Sequence, residues 1–266
     1  MGKRSMAWAM AVSAVLACCL AGMVFADEKG PTAELSVLTA SHYIWRGQEL
    51  SRDSLVVEPG VTVGYKGFSA NLWSNLDTDP YTSAPGEESE VTLNETDLTL
   101  SYAQDLGPVS LEAGYIYYGL DGIPDTQEVY AGVTANVLLS PSLKVYKDVG
   151  RYPSWYFLLG VSHSFAFNDA VSLELSGSVS YLASDSEDDY PEINDDQIPT
   201  GGKFSGLHDG VVTASLPIAF AKYFTVSPAV SYTFPLGSDA ENEMQWRSKT
   251  GDSSFFTAGL NLSMAF

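Results

Sequence analysis

Cysteine is nearly absent from this sequence. Only Cys18 and Cys19 occur among 266 residues, side by side in an apolar N-terminal stretch. Cations are also scarce, with 13 Lys and Arg against 33 Asp and Glu, a formal charge of −20. That balance excludes a nucleic-acid partner, which needs a basic face. Beyond the first residues no apolar run reaches the about 20 residues that a membrane-crossing helix requires. No stretch carries a helical period either, so a helical bundle is excluded as the main architecture. Three histidines leave little room for acid–base or metal chemistry.

What is present begins with "MGKR", an uncharged run from Met6 to Leu20, and small residues at Val24 and Ala26 flanking Phe25. This order reads as a secretory signal peptide over 1–26, with residues 27–266 as the mature domain. The run is too short for a membrane anchor. Cleavage would remove Lys3 and Arg4 and no acid, taking the formal charge to −22, and would remove both cysteines. The mature chain then has no disulfide, thiolate ligand or thiol nucleophile.

The rest of the chain repeats with period two. "AVSLELSGSVSYL" sets Val171, Leu173, Leu175, Val179 and Tyr181 on one face and Ser172, Glu174, Ser176, Ser178 and Ser180 on the other. "FTVSPAVSYTF" and "VSLEAGYIYY" behave alike. The pattern predicts twelve strands, at 34–46, 54–66, 68–77, 94–104, 109–119, 128–137, 142–149, 155–167, 170–183, 205–220, 224–235 and 254–266, with ten or fourteen left open by the short seventh strand, whose surroundings admit another register. Tight turns such as Lys66-Gly67 and Asn168-Asp169 alternate with longer connections, among them "SDSEDDYPEINDDQIPTGGK". Short turns at one end and long loops at the other describe a transmembrane, antiparallel, up-and-down β-barrel. Pro59, Pro217 and Pro228 fall inside predicted strands and are read as bulges or open pairs.

The apolar face is almost free of charge; Lys147 and His163 are the exceptions, both near strand ends. A Lys or Arg on the lipid face at mid-bilayer would cost roughly 2–4 kcal/mol, so this face suits lipid. Aromatics collect at both ends of it. Tyr43, Trp45, Tyr117, Trp155, Phe157, Tyr181, Tyr232 and Phe234 lie toward the long loops; Tyr65, Phe68, Tyr102, Phe165, Phe220, Phe224 and Phe266 lie toward the short turns. Two such belts are expected at the two interfaces. The polar face is mostly Ser, Thr, Gly and Asn, as a lumen requires.

The last strand, with Leu260, Leu262, Met264 and Phe266 on its apolar face, resembles the C-terminal targeting signal of Gram-negative outer-membrane proteins. That resemblance implies the barrel-assembly machinery as a partner during biogenesis. "ASHYIWRGQELSRDSLVVEPGVTVGYKGFSANLWSNLD", "SPSLKVYKDVG" and "YFLLGVSHSF" resemble the TorF-like porin family. The family likeness implies a barrel and a pore and carries no catalytic residue across.

The histidines do not fit an enzymatic barrel. His42-Tyr43-Ile44, His163-Ser164-Phe165 and His208-Asp209-Gly210 all lack a serine two residues after the histidine, as outer-membrane lipid hydrolases would need. His208 and Asp209, being adjacent, are expected on opposite faces of one strand. The reading is therefore not an enzyme, with no cofactor and no metal site. The acidic loop reads as a solvated surface that could share divalent ions with lipopolysaccharide.

Expected channel-lining residues are Arg46, Glu58, Trp73, Glu95, Asp97, Glu112, Tyr118, Glu128, Lys144, Tyr146, Asp148 and Glu174, with Asp209 and Lys66 also inward. Eight inward acids against three inward bases predict a preference for cations or neutral solutes. The expectation is a passive outer-membrane channel in contact with outer-membrane lipid. The alternative is a structural or surface-interaction barrel with a filled lumen, its interior residues paired with one another.

Overall fold

The computed structural model describes residues 30–79 and 91–266. The expected signal peptide and the middle of the first long loop lie outside them. Twelve long strands form one sheet: β1 (Thr32–Ala40), β2 (Val56–Tyr65), β3 (Phe68–Asp77), β4 (Thr92–Asp105), β5 (Val109–Leu120), β6 (Thr126–Ala135), β7 (Ser142–Asp148), β8 (Ser154–Ala166), β9 (Ser172–Ser184), β10 (Ser205–Ser215), β11 (Phe224–Pro235) and β12 (Phe255–Ala265). Each pairs antiparallel with its neighbour in sequence. The sheet closes where β1 meets β12, from Glu34↔Ala265 to Ala40↔Gly259. Closure leaves no row of unpaired backbone groups, the condition for strands to cross lipid.

Alternation sorts the side chains as period two requires. Leu35, Leu72, Leu98, Leu159, Leu260 and Leu262 are exposed on the outer face. Most of the expected aromatic belt residues also lie outward, including Tyr65, Phe68, Tyr102 and Phe165 at one end and Trp155, Tyr181 and Tyr232 at the other. Lys147 sits on that face at the rim, 2.5 Å from Asp185 and over the Trp155 ring. The turn between β2 and β3 has Lys66 and Gly67 both at positive φ, 50° and 85°, the two-residue geometry that follows strand twist. A Cβ on Gly67 would stand 2.6 Å from the Ala103 carbonyl oxygen.

The prolines open the ladder without shifting it. On β3 the partners run from Val57↔Leu76 directly to Gly60↔Trp73, leaving the rungs at Glu58 and Pro59 unmade in an unchanged register. Pro217 ends β10, and the sheet resumes at Ile218–Ala219, again in register with β11.

Four expectations need correction. The predicted strand 34–46 stops at Ala40. The next residues leave the wall and fold into the barrel as a small hairpin, Ile44–Trp45 against Gln48–Glu49. Tyr43, expected in the lipid belt, is buried inside, and Trp45 packs on Tyr118. Lys66 lies in its turn and is exposed, not inward. His208 and Asp209 do not face opposite ways. The β9–β10 register shifts between Val179↔Gly210 and Tyr181↔Leu207, and the extra residue of this bulge turns both side chains inward. A helix, α1 (Ser238–Arg247), occupies a long loop. Its inward stripe is only Ala240, Glu243 and Met244, too short for a periodicity signal.

Candidate functional site

The site is built on a hairpin thrust into the outer half of the lumen. Its turn is Arg46-Gly47, both at positive φ, 48° and 75°, the backbone that a tight two-residue hairpin needs. The neck is closed by the Leu50 amide donating to the Tyr43 carbonyl (2.8 Å) and the Tyr43 amide donating to Ser51 Oγ (2.7 Å). The tip fits closely against the wall: a Cβ on Gly47 would lie 3.0 Å from Met244 Cε and 3.1 Å from Asp209 Cβ. A side chain at that turn would push the hairpin out of its seat.

Arg46 reaches across the lumen. Its Nη1 and Nη2 donate to Glu128 Oε1 and Oε2, both at 2.7 Å. The Tyr118 hydroxyl donates to the same carboxylate at 2.8 Å. The guanidinium lies over three rings, 4.5 Å from the Trp45 centroid, 4.9 Å from Tyr146 and 4.3 Å from Tyr156. The two ionised side chains are 3% and 2% exposed. A planar guanidinium suits this place because it can pair bidentately and stack together.

From there the polar network runs to the mouth. The Tyr156 hydroxyl donates to Asp209 (3.0 Å), which also accepts from Ser180 Oγ (2.6 Å). His208 bridges Asp209 at 3.0 Å and Glu243 of α1 at 2.9 Å. Arg247 pairs with Glu243 and covers the Tyr190 ring. Burial by itself would raise the Glu243 carboxyl, but the hydrogen bond to His208 and the charge of Arg247 outweigh it and hold it below the usual range. Both ring nitrogens of His208 are engaged in a fully buried position. His208 and Asp209, expected on opposite faces, instead meet, and His208 ties the wall to α1 through Glu243.

The expected lumen residues divide into groups. Arg46, Tyr118, Glu128 and Tyr146 meet in the outer cluster. Glu112 and Lys144 pair at 2.8 Å nearer the short turns, where the Tyr130 hydroxyl also donates to Glu112 (2.7 Å). Glu174 stands half-buried in that inner half. Asp148 is buried but turned to the loop that follows it, accepting from Thr126 Oγ1 (2.6 Å) and the Gly150 amide (2.8 Å). Glu58, Glu95 and Asp97 are buried on β2 and β4, near Trp73, which packs at 5.5 Å from the Tyr43 ring. Asn75, Asp77, Tyr130 and Tyr156 join the interior and were not named from sequence. Their parity follows from Trp73, Glu128 and Trp155, so the signal was there.

The inner half is different in kind. Gly160, Ser162, Ser176, Ser178 and Thr213 form its wall and are half-buried. On the outer face of β12, Leu260, Leu262 and Phe266 are exposed and Met264 is half-buried.

Neither a protein-family model nor a curated protein matches this chain. Solved structures do match its fold. The NanC porin superposes with a TM-score of 0.54 at 12% identity, over 88% of this chain and 99% of that one. The KdgM porin gives 0.54 at 10% identity with the same coverage. The chain's closed twelve-stranded barrel thus shares its fold with these porins. The narrower resemblance to TorF-like porins has no counterpart among these structures.

Proposed function

We propose that this chain is a narrow outer-membrane channel for passive diffusion of small cationic or neutral solutes, with the 41–55 segment as a plug in its outer half. The observation that carries the reading is a set of buried polar atoms on the lumen wall with no protein partner among the described residues: Asn75 Oδ1, Asp77 Oδ2, Asp97 Oδ1 and the hydroxyls of Ser231, Thr233 and Thr257. In a dry core each would cost about 1–3 kcal/mol. Buried polar groups of this kind recruit water, so a hydrated seam beside the plug fits them and a packed apolar core does not.

Charge sets the preference. Arg46 and Lys144 are each engaged by a carboxylate, whereas Glu58, Glu95, Asp97 and Asp77 make no ion pair among the described residues. Carboxylates gathered in a low-dielectric wall are relieved by a proton or by a cation passing among them, and those left ionised repel anions. One KdgM porin structure is described in complex with disordered oligogalacturonate, an acidic sugar; the acidic lumen here suits the opposite sign. The outer leaflet and its lipopolysaccharide would surround the exposed apolar band, and the barrel-assembly machinery would insert it.

The filled outer half supports a second reading, a structural barrel whose loops meet partners. Reconstitution in a planar bilayer under a KCl gradient separates the two. A cation-positive reversal potential that shrinks in Glu95→Gln supports the channel. Anion preference would overturn the lumen assignment, and a silent bilayer would favour the structural reading.

A further inference from the structure

We propose that His42, Glu49 and Asp53 form a binding site for a divalent transition metal of the zinc class at the neck of the plug. Each offers one ligand atom, and the three atoms lie within 4.8 Å of one another. A tetrahedral ion with bonds of about 2.1 Å holds its ligands about 3.4 Å apart, so the side chains reach that spacing by small rotations. His42 Nε2 already faces Asp53 Oδ1 at 2.6 Å.

The surroundings orient these groups as outer-shell partners orient metal ligands. His42 Nδ1 bonds Ser41 Oγ at 2.9 Å, and that oxygen accepts the Ala258 amide of β12 at 3.1 Å, tying the ring to the barrel wall. Glu49 is 2% exposed. Its Oε2 accepts from Ser248 Oγ (2.9 Å), the Thr250 amide (3.2 Å) and Thr250 Oγ1 (3.0 Å), which fixes the carboxylate from the loop after α1. These donors to Glu49 are a serine hydroxyl, a threonine hydroxyl and a backbone amide, all neutral. Asp53 is 76% exposed and gives an ion access from solvent.

The donor set chooses the metal class. Magnesium and calcium take oxygen ligands, whereas one imidazole nitrogen with two carboxylate oxygens suits zinc and its neighbours and leaves a fourth position for water. The three ligands lie before, within and after the hairpin that carries Tyr43, Ile44 and Trp45 into the lumen. A bound ion would therefore staple the neck and hold the plug in place. That consequence, though not the site, rests on the channel reading above.

The test is zinc titration by calorimetry of the full, detergent-folded protein after chelator treatment. One saturable site is expected, weakened about tenfold or more in both His42→Ala and Asp53→Asn. Asp195→Asn, in the acidic loop, should leave it unchanged. Heat-shifted gel mobility confirms that each variant is folded, and Asp53 is exposed enough that its exchange spares the core. Absence of saturable binding, parent-like affinity in both variants, or an equal loss in Asp195→Asn would overturn the site. In bilayers, zinc should lower the parent's current and leave His42→Ala unaffected. Binding without any change in current would overturn the staple, while a silent bilayer tells against the channel and leaves the titration to decide the site.

Discussion

The two halves of the lumen share the same twelve strands and differ in what fills them. Toward the long loops, the wall presents tyrosines and carboxylates, and a hairpin, a helix and their ion pairs occupy the space between. Toward the short turns, the wall presents glycine, serine and threonine, with the Lys144–Glu112 pair as its main charge contact. A barrel wall is thus only a frame. Whether its interior is closed is decided by side-chain size on the inner face and by which loop folds back into it.

Breaking the outer clamp should have the largest effect. Glu128→Ala removes the carboxylate that holds Arg46 in a nearly dry cluster, and stripping one partner from a buried pair costs about 3–5 kcal/mol. The urea midpoint of the detergent-folded protein should fall, and bilayer current should rise as the hairpin loosens. An unchanged midpoint would remove the contrast between the halves.

Next comes the wall that both halves share. Leu262→Arg places a charge on the lipid face, at a cost of roughly 2–4 kcal/mol near mid-bilayer. Asn261→Ser, one residue away and facing inward, should leave assembly near the parent level. Fractionation and heat-shifted mobility read both, and equal loss in the two would invert the assignment of faces.

The inner pair should matter less. Glu112 is 23% exposed, so Glu112→Gln should cost about 1 kcal/mol, well below Glu128→Ala in the same urea series. A comparable cost would mean the inner half is as dry as the outer.

The smallest effect expected is the response of α1 to acid. The Glu243 carboxyl is held below its ordinary value. Its contribution is therefore present above about pH 4.3, the unfolded value, and is lost as pH falls through the lower, folded one. Hydrogen exchange in α1 should speed up over that acid range while the strands stay protected, and Glu243→Gln should flatten the response.

Much of this was legible in the sequence because a strand leaves its side chains no choice of face. Trp73, Glu95, Asp97, Glu128 and Tyr146 were placed inward by parity alone, and parity extends without new information to Asn75, Tyr130 and Tyr156. Parity misled at Tyr43 and Trp45. Their alternation continues that of β1, and period two reads the same whether the strand stays in the sheet or breaks off into a hairpin. The Arg46-Gly47 pair was the available sign of a turn. At His208 and Asp209 one inserted residue cancels the rule, and no side chain in the sequence announces it.

The sequence by itself determined the two-faced wall: its alternating strands, their number to within two, its tight turns, its outward leucines and its acidic interior. These follow from backbone geometry and from the cost of charge in lipid, both local to each strand. Only the tertiary structure decided that the hairpin of residues 43–49 turns inward, that Arg46 meets Glu128 eighty-two residues away, that His208 brackets α1, and that His42, Glu49 and Asp53 converge. Those contacts join segments far apart in the chain or depend on a single shift of register, and a repeating pattern carries no record of either.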